Sequence, residues 1–339
     1  MAHVYLMENG AKLGFSQGQL VVKPGGDKPE RRFPFCNVES VNVLGGSQIT
    51  TQLVRECLSA NVPIAYFTED GHYCGMTSCL DHVDPHRQRQ QALLTCNDEF
   101  CLNWAKTVVE AKINNSLQFL ASVGDLYVFS EDELGGLRHS EHYVRQASTV
   151  DEVLGFEGNA AKCYFQCYAK LLHGTEFSFG GRKTRPPKDP VNAMLSYGYS
   201  FLHRSIIGAI ERHGLHPYFG FMHKMKRGHA TLASDLIEDY RALLVDKIVL
   251  GLAGSGEVSP ADFTVAATGA VYLPRPVMEK LTNLLSSALA DKARYCQAYG
   301  DGYQYGFQAA LDKKLCTVIA AIDSADASLY QPFVWSVEQ

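Results

Sequence analysis

The chain has 339 residues, of which 46% are hydrophobic and 20% charged, and it carries a formal net charge of −5. At ~100–200 residues per domain this is a soluble globular protein of two domains, and its acidity argues against indiscriminate binding to nucleic acid. No apolar run approaches the ~18 residues of a membrane span. MAHVYLMENGAK lacks the basic and apolar regions of a secretory signal, and the ten cysteines form no C-x-x-C pair, which suits free thiols in a reducing cytoplasm rather than zinc.

Short β-branched and aromatic runs predict strands at His3–Leu6, Leu20–Lys23, Arg32–Phe35, Val38–Leu44, Ile64–Phe67 and Tyr73–Met76. Turn residues such as Glu8-Asn9-Gly10 and Pro24-Gly25-Gly26-Asp27 separate them. One helix interrupts the series, capped by Thr50 or Thr51, striped by Leu53, Val54, Cys57 and Leu58, and ended by Asn61-Val62-Pro63. Residues 1–85 therefore read as a small β-rich domain. The polar stretch 86–91 reads as a linker, and 92–339 as a larger all-α domain, giving an α+β chain.

In that second part, Phe100, Trp104, Val108, Ala111 and Leu117 share one face of a long helix. A second helix is expected from about Ser148 to His173, with Gly174 beyond its end. FSFGGRKTRPPK, at Phe177–Lys188, is a basic loop; Asp189-Pro190 then opens a helix that runs to about His213. Further helices are expected over Thr231–Leu250, over Val277–Ala290 and up to Ile322. From Arg182 to Lys247 there are eleven Lys/Arg against six Asp/Glu. That local excess on an acidic chain fits a polyanion bound at one place, or equally a solvated surface with chance clustering.

Three segments here carry chemistry. Glu157 is flanked by Gly155, Gly158 and Ala160; His223 ends the run Tyr218–Met222; Asp235 and Glu238 stand three apart on one expected helix, so both can face one point. Asp239 is expected to turn away and Arg241 to pair across the surface. Each feature has an ordinary alternative: an exposed glutamate, a histidine at the core edge, an acidic first turn favoured by the helix dipole. Together they form an oxygen-rich set with one imidazole and no thiolate, which suits Mg²⁺ or Mn²⁺ better than structural zinc. Lys224, Lys226 and Arg227 beside His223 point to a phosphodiester.

At these residues the chain resembles the CRISPR-associated spacer-acquisition integrases. The resemblance runs through AKINN at Ala111–Asn115, EGNAAKCYF around Glu157, DPVNAMLSYGYSFL from Asp189, GFMH ending at His223, and LASDLIEDYRALLVDKIVL from Leu232. TTQLVRECLSANVPIAYF, FTVAATGAVYLPRPVMEKL and YQPFVW extend it over nearly the whole chain. It implies a β-rich N-terminal domain that forms a homodimer, an α-helical catalytic domain, and a small ferredoxin-like companion subunit alongside further adaptation proteins. It implies that Glu157, His223 and Glu238 are catalytic metal ligands, with Asp235 a fourth acidic contributor. Asn192 and Tyr197 would support the site or face DNA, and the basic residues Arg182, Lys183, Arg185, Lys188, Lys224, Lys226 and Arg227 would contact it. The implied reaction is transesterification, in which a DNA 3′-hydroxyl attacks a phosphodiester of the CRISPR repeat; water in its place gives nuclease activity. A non-catalytic DNA-binding scaffold and a hydrolase of small phosphoesters are the competing readings.

Overall fold

The computed structural model describes all residues except 1, 7, 27, 69–72, 78, 80–82, 184–185, 292–305 and 336–339. The chain divides into two compact units, Met1–Asp84 with Glu211–Gly214, and Pro85–Ile210 with Leu215–Gln339.

Among its described residues the first unit holds eight strands and one α-helix: β1 (Ala2–Leu6), β2 (Lys12–Ser16), β3 (Gln19–Lys23), β4 (Arg31–Pro34), β5 (Val38–Leu44), β6 (Gln48–Ile49), α1 (Thr51–Ser59), β7 (Ile64–Phe67) and β8 (Tyr73–Thr77). They form two four-stranded sheets, ordered β1-β5-β7-β8 and β4-β3-β2-β6. β5 lies parallel to both β1 and β7. Leu13, Leu20, Val41, Leu53, Cys57 and Ile64 make the shared core. The sequence reading missed β2 and β6. The β2–β3 hairpin turns through Gln17 and Gly18, at φ 51° and 73°. Both central residues need positive φ in such a turn, and Gln17 carries none of the usual Asn or Asp signal. α1 is capped as expected, with the Leu53 N–H donating to Thr50 Oγ1 at 3.3 Å.

The described residues of the second unit are mainly helical, with a short ribbon of β9 (Thr264–Val265) and β10 (Val271–Tyr272). Its helices are α2 (Pro85–Leu94), α3 (Asp98–Ser122), α4 (Glu131–Val144), α5 (Val150–Leu171), α6 (Pro190–Arg212), α7 (Thr231–Ile237), α8 (Lys247–Gly254), α9 (Arg275–Ala290) and α10 (Phe307–Ser324). Residues 86–91, expected as a linker, lie inside α2. Their polarity misleads because Gln91 is buried and acts as a clamp. Its amide donates to His216 O and Phe219 O, both at 2.8 Å, and its carbonyl accepts from His216 N at 3.0 Å. α4 was also missed, although Ser130 and Glu133 form a complete capping box at its start. Paired glycines hide it; a Cβ on Gly136 would lie 2.2 Å from Cys163 Sγ, so α4 and α5 touch there.

The helix expected over Thr231–Leu250 is broken. α7 tightens into a 3-10 turn at Glu238–Tyr240, widens into a π turn at Arg241–Asp246, and resumes as α8. Packing explains part of this. A Cβ on Gly198 of α6 would stand 2.5 Å from Val245 Cγ1, so the π turn presses directly on α6.

α3 runs through the middle of this unit. Trp104 is fully buried, stacked on Tyr330 at 3.9 Å and edge-on to Phe221 at 4.8 Å. Asn115 donates to Asp239 O and Phe333 O at 2.7 and 2.8 Å, and accepts from Trp335 N at 2.8 Å. Asp239 is buried against Lys314, whose ammonium reaches both carboxylate oxygens at 2.7 and 2.6 Å. Burial pushes the Lys314 pKa down and the Asp239 pKa up, with each charge resisting the other's loss. The described cysteines are all free. No helix among the described residues is long and apolar enough to cross a membrane.

Removing one partner of a buried pair strands the other. Lys314→Met is expected to cost about 3–5 kcal/mol of stability by that principle, read by guanidinium denaturation. Adding Asp239→Asn to it should recover part of the loss.

Candidate active site

Asp235 organises the site. It is fully buried in the second turn of α7. Its Oδ2 accepts from the N–H groups of Phe221 and Met222 at 2.7 and 3.0 Å. Its Oδ1 accepts from His223 N at 3.1 Å and lies 2.7 Å from His223 Nδ1. The four donors use the lone pairs of both oxygens. Asp235 was expected as a fourth metal donor; its carboxylate is instead spent on wrapping residues 221–223 and holding the imidazole. Glycine is required at 220, because a Cβ there would lie 2.5 Å from Thr231 C and 2.8 Å from Asp235 Oδ2.

With Nδ1 tied down, His223 Nε2 faces Glu238 Oε1 at 4.0 Å. Burial works against a charged His223, but the bond to Asp235 and the charges of Asp235 and Glu238 outweigh it and raise its pKa. Glu238, on the 3-10 turn, is almost wholly buried. Burial opposes its ionisation, yet Arg241 and Lys112 hold its pKa well below the usual range. Arg241 Nη2 is 3.1 Å from Glu238 Oε1, an ion pair inside the cavity wall rather than across the surface as expected.

Glu157 lies on α5, on an open stretch: a Cβ at Gly155 or Gly158 would meet nothing within 4 Å. The link between Glu157 and Glu238 is Lys112 of α3. Its ammonium bonds Glu157 Oε1 and stands 2.6 Å from Glu238 Oε2. Burial disfavours that charge, and the two carboxylates more than restore it, raising the Lys112 pKa. Glu157, His223 and Glu238 thus supply two carboxylates that share one positive charge, with an imidazole nitrogen facing one of them. That donor chemistry fits a hard divalent cation. Among the described residues, no three His, Cys, Asp or Glu side chains stand close enough to hold an ion as they are.

Beside these groups opens a cavity of about 860 Å³, whose cationic lining comes from Lys112, Lys162, Arg182, Lys183, Arg204 and Arg241. The Tyr199 ring sits between the guanidiniums of Arg182 and Arg241, at 5.2 and 4.8 Å. Its hydroxyl donates to Asp246 Oδ1 at 2.5 Å, and that of Tyr164 to Asp246 Oδ2 at 2.8 Å. Burial pushes Asp246 up to about 6 in spite of both donors. His203 lies 3.2 Å from Ser234 Oγ and stacks near His229.

The residues expected to contact DNA divide. Lys183, Lys188, Lys224, Lys226 and Arg227 are exposed, with Lys224 paired to Asp151 at 2.9 Å and Lys188 bonded to Thr268 O at 3.0 Å. Arg182 lines the cavity, fixed by Asn192 Oδ1 at 2.8 Å and Ser196 Oγ at 3.1 Å. Asn192 is fully buried and cannot face DNA. It accepts from Lys183 N and donates to Gly181 O and Asp189 Oδ2, which makes it the hub of the basic loop. Tyr197 is half-buried, and its hydroxyl meets Thr282 Oγ1 at 2.6 Å between α6 and α9. Arg185 lies outside the described residues.

Residues 4–286 match the family model described as CRISPR associated protein Cas1. The chain belongs to the Cas1 family. The CRISPR-associated endonuclease Cas1 of Mycobacterium tuberculosis is 36% identical over 329 residues, covering 97% of this chain and 96% of its own length. A casposase bound to its integration product superposes with a TM-score of 0.81 at 22% identity, covering 100% of this chain and 96% of the casposase. A chain of a Cas6-RT-Cas1–Cas2 complex gives 0.77 at 22% identity, covering 100% of this chain and 36% of that one. At such identities these two structures show the shared fold.

The sequence reading did not single out Lys112, Arg241, Tyr199, Asp246, His203 or Arg204 as site residues. Lys112 lies in AKINN, and a lysine within an apolar helical stripe was the available signal.

Two outcomes follow from this geometry. Gly220→Ala should drive a methyl into the Asp235 cage and cost about 2–3 kcal/mol, seen as a lower denaturation midpoint. Burial depresses His203 to about 4 from an ordinary 6.5. The unfolded chain takes up that proton at higher pH than the folded one, so this contribution is whole above pH 6.5 and is lost as pH falls toward 4. Thermal melts across that range should show a flatter acid limb for His203→Gln than for the parent chain.

Proposed function

We propose that the chain is a metal-dependent DNA endonuclease and integrase that inserts prespacer DNA into a CRISPR array. The observation that carries this reading is the convergence of Glu157 and Glu238 on one cation, with His223 oriented by Asp235, at the wall of a cationic cavity. Membership of the Cas1 family, relatives named as endonucleases, and the fold shared with a casposase support it.

Glu157, His223 and Glu238 would hold Mg²⁺ or Mn²⁺, which when bound supplies Lewis-acid stabilisation of charge on a phosphoryl oxygen. The protein's own part is placement. Asp235 fixes the imidazole, so that His223 presents Nε2 toward Glu238 without rotational freedom. Arg241 offsets the Glu238 charge and would be at hand to stabilise charge on a phosphodiester entering the cavity it lines. The cationic lining holds the DNA backbone and brings a 3′-hydroxyl in line with the phosphodiester it attacks. One phosphodiester forms as another breaks and the displaced 3′-oxygen takes a proton, so no nucleotide cofactor is consumed. The Cas2 named in the neighbouring complex makes a Cas2-type companion the partner of choice, beside DNA and a second copy of this chain.

Strand transfer of a DNA carrying a free 3′-hydroxyl into a repeat-containing duplex, with Mn²⁺ present, tests the reading. Glu157→Ala and His223→Ala should each slow it at least about a hundredfold while leaving the melting temperature within a few degrees. Parental rates in either variant would remove the assignment, and turnover of nitrophenyl phosphate but not of DNA would favour a small-substrate phosphoesterase.

A further inference from the structure

We propose that Lys112 is a built-in counter-ion: it occupies the point between Glu157 and Glu238 in the ion-free protein and is displaced from it when a divalent cation binds. The inference rests on the metal-dependent reading above and adds to it a residue that opposes ion binding.

The geometry makes the two cations alternatives. Lys112 Nζ bonds Glu157 Oε1 and stands 2.6 Å from Glu238 Oε2, so it lies where those two oxygens converge. An ion bound by both carboxylates needs metal–oxygen distances of about 2.0–2.2 Å, which places it in the volume the ammonium fills. A protonated lysine has no lone pair, so it cannot stay as a ligand. Ammonium and ion also repel each other across a poorly hydrated space.

Two further observations favour exchange over permanent occupation. One ammonium is shared between two carboxylates, and Arg241 gives Glu238 a second cation that stays when Lys112 leaves. Lys112 is rooted in α3 and forms part of the cavity wall. Its flexible four-carbon stem can carry the ammonium into that space without moving the helix. The displaced charge then faces the region a phosphodiester would enter. Linkage requires the converse as well: an anion that draws Lys112 off the carboxylates tightens ion binding by the same factor.

The occupant also explains how the site survives empty-handed. Two carboxylates aimed at one another, one of them nearly fully buried, would repel and splay apart. Lys112 keeps the two facing a common point.

The experiment uses the full chain and Mn²⁺ alone, with free Mn²⁺ counted by electron paramagnetic resonance. Lys112→Met should lower the Mn²⁺ Kd at least tenfold relative to the parent, and Glu157→Ala should raise it at least tenfold. A Lys112→Met Kd that is unchanged or higher overturns the displacement, and leaves the metal reading standing if Glu157→Ala still weakens binding. Mn²⁺ binding that ignores Glu157 in both parent and Lys112→Met backgrounds sinks the metal reading and the displacement together. Should Lys112→Met not fold, the parent protein answers directly. Acetylation of Lys112 by an N-hydroxysuccinimide ester, read by peptide mass spectrometry, should rise several-fold on saturation with Mn²⁺ while surface lysines stay constant. A rate that stays level or falls overturns the proposal.

Discussion

Burying negative charge in a helical interior is the constraint on which the rest of this structure turns. Asp235, Glu238, Asp239 and Asp246 lie within twelve residues and are all buried. An unpaired carboxylate in such surroundings gives up its charge rather than pay for desolvation. Each of the four is answered differently. Asp235 collects three backbone N–H groups and an imidazole. Glu238 has Lys112 and Arg241, and Asp239 has Lys314. Asp246 has two tyrosine hydroxyls, and burial still pushes its pKa up to about 6. Glu238 is the one with two cations, and its pKa falls well below the usual range while those of Asp239 and Asp246 rise.

The surrounding fold exists to deliver these partners. Lys112 comes from α3, Glu157 from α5, Arg182 is held against α6, and Lys314 comes from α10. Asn115, one helical turn from Lys112, straps the 333–335 segment over Asp239. Gln91 fixes the chain at His216 and Phe219, just ahead of Gly220–His223. A rigid scaffold of this kind keeps a catalytic constellation in place without reorganisation during reaction.

The periodic parts of this architecture were legible before any coordinates. Trp104 and Val108 marked the face of α3 that is buried, Asp189-Pro190 marked the start of α6, and Thr50 the cap of α1. Glu157, His223 and Glu238 stood out as polar residues in apolar surroundings, and the structure brings them to one region. What stayed hidden was division of labour. Nothing in SDLIEDYR says that Asp235 points back at the preceding loop while Glu238 points into the cavity, because that depends on residues 220–223 folding over α7. Asn192 and Tyr197 lie in a motif that reads as site-lining, yet Asn192 is turned onto the preceding loop at Gly181 and Asp189, and Tyr197 onto Thr282 far along the chain. Polar α2 read as a linker because the carbonyls that receive Gln91 are 125 and more residues away.

The π turn at Arg241–Asp246 carries one more implication. A π turn accommodates an extra residue relative to a regular helix, and each residue advances a helix by about 100°. Deleting a single residue there would let α7 and α8 fuse into one uninterrupted rod, an outcome local helix propensity welcomes. It would also swing Asp246 out from between Tyr164 and Tyr199 and release the ring that two guanidiniums grip. The irregularity is thus a phase shifter: it lets one continuous stretch of backbone aim Glu238 at Lys112 and Asp246 at the tyrosines.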